Sequence, residues 1–201
     1  MVDSLKTRVL DLVRRRGVLR ARDLAGPGIP RTILRRMVAE GTLANPERGL
    51  YVLADAEPSL HQSLIEACTR VPHGVVCLLS ALQFHGLTTQ APFEVWVAIA
   101  ESARHPAVEH PPLRVVRFSE TALAYGVEEH VLDGATVKVY SPAKTVADCF
   151  KYRNKIGVDV AVEALRDLFS QSRQPPIDDL WRYAEVDRVQ TVIRPYLEAL
   201  L

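Results

Sequence analysis

The segment over residues 20–53 constrains the fold of this 201-residue chain more than any other stretch. A short helix is predicted over residues 22–25, and a Gly-Pro-Gly turn follows it at residues 26–28. A second helix begins at Pro30, because proline lacks an N–H that the first helical turn does not use. Gly41 ends this helix. Two helices joined by a tight turn predict a helix-turn-helix motif.

The second helix has one apolar face and one cationic face. At about 100° per residue, the apolar arc contains Ile33, Leu34, Met37 and Val38, and the opposite arc contains Arg31, Thr32, Arg35, Arg36 and Ala39. The first arc predicts packing against a core. The second arc is left for solvent or for a partner.

The elements on either side complete the pattern of a winged helix-turn-helix domain. Apolar residues recur at helical spacing over residues 4–16 and predict a first helix. Two short strands are predicted over residues 42–44 and 50–53, around a turn-rich tip at residues 45–49. Arg48 lies on this tip, which is the predicted wing.

A polar connection at residues 55–59 separates two parts of opposite charge. We expect a winged helix-turn-helix domain over residues 1–56 and a second domain over residues 57–201. Residues 1–54 contain 11 lysines and arginines against 5 acidic residues, a net charge of +6, whereas the rest of the chain carries −5. A basic segment joined to an acidic body suggests a polyanionic partner for the basic segment only.

Double-stranded DNA is the partner that this basic segment favours. The arginine guanidinium matches both guanine edges and phosphates. The predicted DNA-binding residues are Arg31, Thr32, Arg35 and Arg36 on the helix and Arg48 on the wing. Two alternatives stay open, because arginines on an outer face can simply solubilise a helix and because winged domains also bind proteins.

The patterns beyond residue 57 favour an α+β fold with a small, mainly antiparallel sheet and several helices. Strands are predicted over residues 93–100, 113–118, 127–132 and 136–140, with an Asp-Gly hairpin turn between the last two. Helices are predicted over residues 60–71, 81–85, 142–152, 158–169, 177–185 and 189–200. Ser80 and Ser141 are the predicted N-caps of the second and third of these helices.

No residue pattern identifies a catalytic or metal site, so we expect a protein that is not an enzyme and needs neither metal nor cofactor. The six histidines lack metal-pair spacing, and a structural hydrogen bond is expected for His85. The three cysteines, Cys68, Cys77 and Cys149, lie in apolar surroundings that favour reduced thiols. A magnesium-dependent nuclease stays open as an alternative, with Glu128, Glu129, Asp133 and Lys138 around the hairpin.

A dense group of polar residues follows the start of the third helix of the second domain. Its members are Lys144, Asp148, Lys151, Arg153, Asn154 and Lys155. They can form a patch that faces a protein or nucleic-acid partner, or a solvated helix face crossed by ion pairs between residues four apart.

Five segments carry a family resemblance. They are RGLY at residues 48–51, CLLSALQFHGLTTQ at 77–90, EVWVAI at 94–99, LRVVRFS at 113–119 and VYSPAKTVADCFKYRNKIG at 139–157. Together they resemble the AbiEi-like antitoxins of bacterial type IV toxin–antitoxin systems. The last segment is the most distinctive, and the resemblance covers nearly the whole chain.

The resemblance implies a transcriptional regulator with two functions. The winged domain would bind repeats in the promoter of its own operon and repress it, through the helix and wing residues named above. The second domain would counteract a nucleotidyltransferase-like toxin encoded beside it, without a stable complex between the two proteins. From the residues alone, a regulator with a ligand-sensing second domain is a further alternative.

The chain has the features of a cytoplasmic protein. No apolar run reaches the roughly 20 residues that a membrane span needs. The N-terminus also lacks the apolar core of a signal peptide. We therefore expect no membrane partner.

Overall fold

A computed structural model describes residues 2–47, 49–55, 60–171 and 173–200 of the chain. Contacts divide the chain into two compact units. The first runs to Thr69 and includes His130–Val137, and the second comprises Arg70–Glu129 and the chain from Lys138 onward. The predicted boundary after residue 56 falls in residues 56–59, outside the described residues, and it stays a prediction.

The first unit contains helices and a three-stranded sheet. Its elements are α1 (Val2–Arg16), β1 (Leu19–Arg20), a 3₁₀ helix (Ala21–Leu24), α2 (Thr32–Ala39), β2 (Leu43–Glu47), β3 (Leu50–Leu53) and most of α3 (Gln62–Arg70). The strands lie in the order β1-β3-β2, and both neighbouring pairs are antiparallel. β1 is not predicted from the sequence, because a strand of two residues is too short to show an alternating pattern.

The core of the first unit confirms the apolar face predicted for α2. Leu34 and Met37 are fully buried, Ile33 is buried, and Val38 is half-buried. They pack with Val9 and Val13 of α1 and with Leu24 of the 3₁₀ helix. The helix begins at Thr32 rather than at the predicted Pro30. Pro30 lies in a tight turn instead, in which its carbonyl accepts a hydrogen bond from the Ile33 N–H at 3.2 Å.

The second unit is built from strands and from helices that pack on them. In chain order the elements are β4 (Val75–Val76), α4 (Leu78–His85), β5 (Val95–Ala100), β6 (Leu113–Phe118), α5 (Glu120–Ala124), β7 (Val127–Leu132), β8 (Ala135–Tyr140), α6 (Pro142–Lys151), α7 (Arg153–Ile156), α8 (Val158–Gln171), α9 (Ile177–Val186) and α10 (Gln190–Glu198). The end of β7, the turn after it and the start of β8, His130–Val137, belong to the first unit. The chain is therefore α+β, as predicted.

The five-stranded sheet is mixed, and the prediction of a mainly antiparallel sheet is wrong. Its strand order is β6-β5-β4-β8-β7. β5 runs parallel to β6 and β4 runs parallel to β8, whereas β4 and β5 are antiparallel. The loop at residues 101–112 is long enough to return the chain to the start of β5, which a hairpin turn cannot do. The two-residue strand β4 had also been interpreted only as an apolar run.

The two serines predicted as N-caps behave differently. Ser141 caps α6 as expected, and its hydroxyl accepts from the Lys144 N–H at 3.4 Å. The prediction for Ser80 is wrong, because α4 begins at Leu78 and Ser80 lies inside it. The Ser80 hydroxyl accepts instead from the Trp96 N–H at 2.9 Å and so connects α4 to β5.

One core holds the second unit together. The residues that fill it are apolar side chains of β5, β6, β8 and the helices α4, α6, α8, α9 and α10, among them Trp96, Phe118, Tyr140, Phe150, Leu165 and Ile193. α6 lies within this core, since its residues from Ala143 to Phe150 are all buried. In the described part of the chain, no helix is both long and apolar enough to cross a membrane.

Candidate nucleic-acid interface

The cationic face predicted for α2 is exposed. The side chains of Arg31, Thr32, Arg35 and Arg36 all face solvent, while Leu34 and Met37 on the other side of the helix are fully buried. The structure therefore brings all four helix residues of the predicted DNA-binding set onto one surface. A row of guanidinium groups on an exposed helix can reach phosphates or base edges.

The arginines of this face are not equivalent. Arg36 Nε donates to Glu40 Oε1 at 3.0 Å, and Lys6 Nζ lies 2.6 Å from Glu40 Oε2. Hydrogen bonds from Lys6 and Arg36 lower the pKa of the Glu40 carboxyl. Within the described residues, Arg31 and Arg35 make no ion pair. These two arginines are the ones available to a polyanion without breaking an existing contact.

The tip predicted as a wing over residues 45–49 is partly strand, because β2 extends to Glu47. Asn45 Nδ2 donates to the Leu50 carbonyl at 2.5 Å and so joins β2 to β3. The pairing of β2 with β3 shifts register between Ala44 and Glu47. Arg48, the predicted wing contact, lies outside the described residues, so its role stays a prediction.

Further cations lie on α1 of the same unit. Arg8 Nη2 donates to the Pro27 carbonyl at 3.0 Å, and both residues line a hollow of about 220 Å³ together with Asp11, Leu12 and Arg15. Arg16 Nη1 lies 3.8 Å from Asp23 Oδ2. This contact of Arg8 cannot be predicted from the sequence, because helical periodicity within α1 says nothing about which loop lies next to it.

The group predicted as a partner-facing patch is not one surface. Lys144 and Asp148 are fully buried, so the prediction is wrong for these two residues. Lys151 and Arg153 are half-buried, and only Asn154 and Lys155 are exposed. The physical reason is that α6 is surrounded by the core, and its polar side chains therefore point inward at each other.

Lys144 is the centre of a buried charged cluster that also includes Asp148 and Asp187. The Lys144 ammonium pairs with the Asp148 carboxylate one turn later on α6, and it lies 3.3 Å from Asp187 Oδ2 at the end of α9. Lys151 Nζ approaches the other Asp187 oxygen at 3.6 Å from the edge of the core. Sequence reasoning missed Asp187 because it is 43 residues away from Lys144.

Aromatic rings complete the surroundings of the Lys144 ammonium. Its Nζ lies 5.0 Å from the centre of the Tyr140 ring and 5.1 Å from that of Phe118. The two rings are stacked, and the Tyr140 hydroxyl donates to the Leu123 carbonyl at 3.0 Å. Burial, together with the neighbouring Asp187, raises the pKa of Asp148 well above its ordinary value, although Lys144 opposes this shift.

The hairpin residues of the nuclease alternative, and His85, make ordinary structural contacts. Lys138 Nζ is 4.0 Å from Glu129 on the exposed part of the hairpin, and Asp133 occupies its turn with a φ of 47°. No group of three metal-ligating side chains occurs among the described residues. His85 Nε2 donates to the Tyr140 carbonyl at 2.7 Å, which confirms the structural role predicted for it.

The three cysteines are reduced thiols, as predicted. Cys77 and Cys149 are buried and Cys68 is half-buried. Burial raises the pKa of the Cys77 and Cys149 thiols well above the ordinary value. Both therefore stay neutral in the core.

The basic segment that includes α2 matches a known protein family. Residues 8–54 match the family described as "Transcriptional regulator, AbiEi antitoxin". This match confirms the family resemblance over the segment that contains α2 and the β2–β3 turn. It ends before the two segments, residues 77–90 and 139–157, on which much of the resemblance had rested. It supports a transcriptional regulator of the toxin–antitoxin type.

A solved structure resembles the fold over most of the chain. The crystal structure of the RV2827C protein from Mycobacterium tuberculosis aligns with a TM-score of 0.58 at 16% identity, covering 90% of this chain and 71% of that one. At this identity the likeness concerns the fold alone. No curated protein matches the chain.

The buried cluster yields a prediction about stability. In a Lys144→Met variant, Asp148 and Asp187 lose their central cation while an unbranched side chain one atom shorter fills most of the same space. We expect the free energy of unfolding, measured by urea titration, to fall by about 3–5 kcal/mol, as for other broken buried ion pairs. The matched control is Lys138→Met on β8, whose side chain is partly exposed, and this change should alter the free energy of unfolding by no more than about 0.5 kcal/mol. Equal, small effects in both variants would contradict this account of the core.

Proposed function

We propose that this protein is a DNA-binding transcriptional autorepressor and an antitoxin. The single observation that carries the DNA-binding part is the exposed row of arginines at the start of α2 and along it, opposite a helix face that packs in the core. Such a helix can enter the major groove while its apolar side stays packed.

The surrounding elements support a winged helix-turn-helix domain. α1, β1, the 3₁₀ helix, α2 and the β2–β3 turn follow one another in the order that this domain requires, and β3 lies between β1 and β2. α2 takes the place of the recognition helix in this assignment. Arg31 and Arg35 contact DNA directly, Thr32 and Arg36 contribute at the same face, and Arg48 follows the backbone from the wing.

The charge distribution supports the same assignment. Residues 1–54 carry a net charge of +6, which favours association with a polyanion, and the rest of the chain carries −5. The operator consists of repeats in the promoter of the protein's own operon. The resulting activity is repression by binding, without catalysis by this chain.

The antitoxin part rests on the family match, whose description names AbiEi antitoxins. The toxin that it counteracts is a nucleotidyltransferase-like protein encoded by a neighbouring gene. Neutralisation needs no stable complex of the two proteins. The second unit performs this function in the cytoplasm, separately from DNA binding by the first.

The DNA-binding claim predicts a selective effect of an Arg31→Ala/Arg35→Ala double variant. We expect a weaker mobility shift with the DNA upstream of the protein's own gene. The slope of log K against log salt should also flatten by about 0.9 for each phosphate that the variant no longer neutralises. The free energy of unfolding should be unchanged, because both side chains are exposed.

A matched double variant separates local contact from net charge. Arg166→Ala/Arg173→Ala removes two exposed arginines from the second unit, and so the same total charge. It should bind the promoter fragment like the parent protein. Equally weakened binding in the two double variants, or unchanged binding in both, would refute the assignment of α2.

The separation of the two functions makes a second prediction. When it is expressed from an unrelated promoter, the Arg31→Ala/Arg35→Ala variant should still protect cells from the neighbouring nucleotidyltransferase-like toxin, because the changed residues lie outside the second unit. Colony counts after toxin induction measure this protection. Loss of protection, at an unchanged protein level, would show that DNA binding and neutralisation are one activity.

A further inference from the structure

The second unit contains an amphipathic hollow at one end of its sheet. This β5–β6 hollow has a volume of about 470 Å³ and is lined by Glu94, Trp96, Leu113, Arg114, Val115, Val116, His105 and Lys155. Pockets that bind small molecules commonly measure about 300–1,000 Å³. The hollow is therefore large enough for an organic ligand and not only for a single ion.

Three different elements supply the nitrogen-bearing groups of the hollow. Arg114 is on the edge strand β6, Lys155 is on α7, and His105 is on the loop between β5 and β6. All three residues are exposed. Within the described residues, neither Arg114 nor Lys155 has a carboxylate within ion-pair distance. Both cations are thus available to an anion.

Arg114 is held in place by an aromatic ring. Trp96 and Arg114 are register partners on the parallel strands β5 and β6, and Arg114 Cζ lies 5.6 Å from the centre of the Trp96 ring. Lys155 Nζ lies 5.4 Å from the centre of the Tyr152 ring. Contacts of this kind orient a cation without neutralising it. Each aromatic ring therefore modestly favours one position of its cation before any ligand arrives.

His105 has one ring nitrogen free for a ligand. Its Nδ1 lies 3.0 Å from the Pro106 carbonyl oxygen, which can only accept, so Nδ1 carries the proton. Nε2 is then the nitrogen that can bond to a ligand hydroxyl or, when the ring is charged, to an anion.

The rest of the lining is apolar apart from Glu94. Trp96 of β5 lies on the same face of the sheet as Arg114, and its ring provides the apolar surface for a carbon skeleton. A bare inorganic ion would make no use of this surface. A ligand that carries a phosphate on an organic group uses both parts of the hollow, and Glu94 can accept hydrogen bonds from its hydroxyl or amino groups.

We propose that the β5–β6 hollow binds a phosphorylated small molecule, with its phosphate held by Arg114 and Lys155. The shared chemistry is a phosphate monoester on a polar organic group, which a nucleotide and a sugar phosphate both provide. The guanidinium of Arg114 donates two parallel hydrogen bonds to the phosphate, and the Lys155 ammonium adds a third contact. This site is separate from the arginines of α2.

Calorimetric titration of the full chain tests the proposal with four probes. The probes are AMP, glucose 6-phosphate, inorganic phosphate and adenosine. We expect AMP or glucose 6-phosphate to bind at least about tenfold more tightly than either inorganic phosphate or adenosine, because only these two combine both kinds of contact. The probe of these two that binds more tightly shows whether the natural ligand is a nucleotide or a sugar phosphate. Failure of both to exceed the other probes would overturn the proposal.

Variants place the binding in the hollow. Arg114→Gln and Lys155→Gln should each weaken the best probe by about tenfold or more. Arg166→Gln on α8 and the Arg31→Ala/Arg35→Ala variant should bind it like the parent protein. Unchanged binding by Arg114→Gln and Lys155→Gln, or equally weakened binding in the two controls, would contradict the assignment.

A fluorescence readout reports the site independently. The chain has two tryptophans, so a Trp181→Phe variant leaves Trp96 as the sole tryptophan. The best probe should change its emission with the affinity that calorimetry measures, because Trp96 lines the hollow beneath Arg114. If calorimetry shows saturable binding but the emission of Trp96 does not change, the ligand binds elsewhere and the proposal is wrong.

Discussion

A lysine ammonium buried away from water is stable only where carboxylates offset its desolvation, and in the second unit Lys144 finds two of them. Asp148 is one turn away on α6, whereas Asp187 comes from the end of α9. Stacked rings of Phe118 and Tyr140 lie over the same ammonium, from strands β6 and β8. One cation therefore makes contacts that connect helices α6 and α9 with strands β6 and β8. Apolar packing alone would tolerate sliding between these elements more easily.

The first unit uses its charges in the opposite way. Arg31 at the start of α2 and Arg35 within it are exposed to solvent, whereas Arg36 pairs with Glu40. Leu34 and Met37 on the far side of the same helix anchor it to α1. The core contacts fix the position of α2 and leave the guanidinium groups of Arg31 and Arg35 available. A cationic surface of this kind favours a polyanionic partner, and the family match covers this segment.

The sequence predicted features that depend on local spacing. The two faces of α2, the cap at Ser141 and the hairpin between β7 and β8 all follow from patterns within a few residues. It could not predict contacts between distant segments. Asp187 approaches Lys144 through the packing of α9 on α6, and the two-residue strands β1 and β4 exist only through their partners. The polar residues of α6 had the composition of a solvated face, and only the surrounding core shows that two of them are buried.

Hydrogen–deuterium exchange of the full chain tests the central claim most directly, because it locates DNA binding without changing a residue. The chain is measured alone and with the duplex DNA upstream of its own gene. The account predicts slower amide exchange over residues 31–36 and in the β2–β3 turn, with no slowing for a duplex of scrambled sequence at the same salt concentration. Slower exchange confined to the second unit, or equal slowing by both duplexes, would contradict sequence-specific binding through α2.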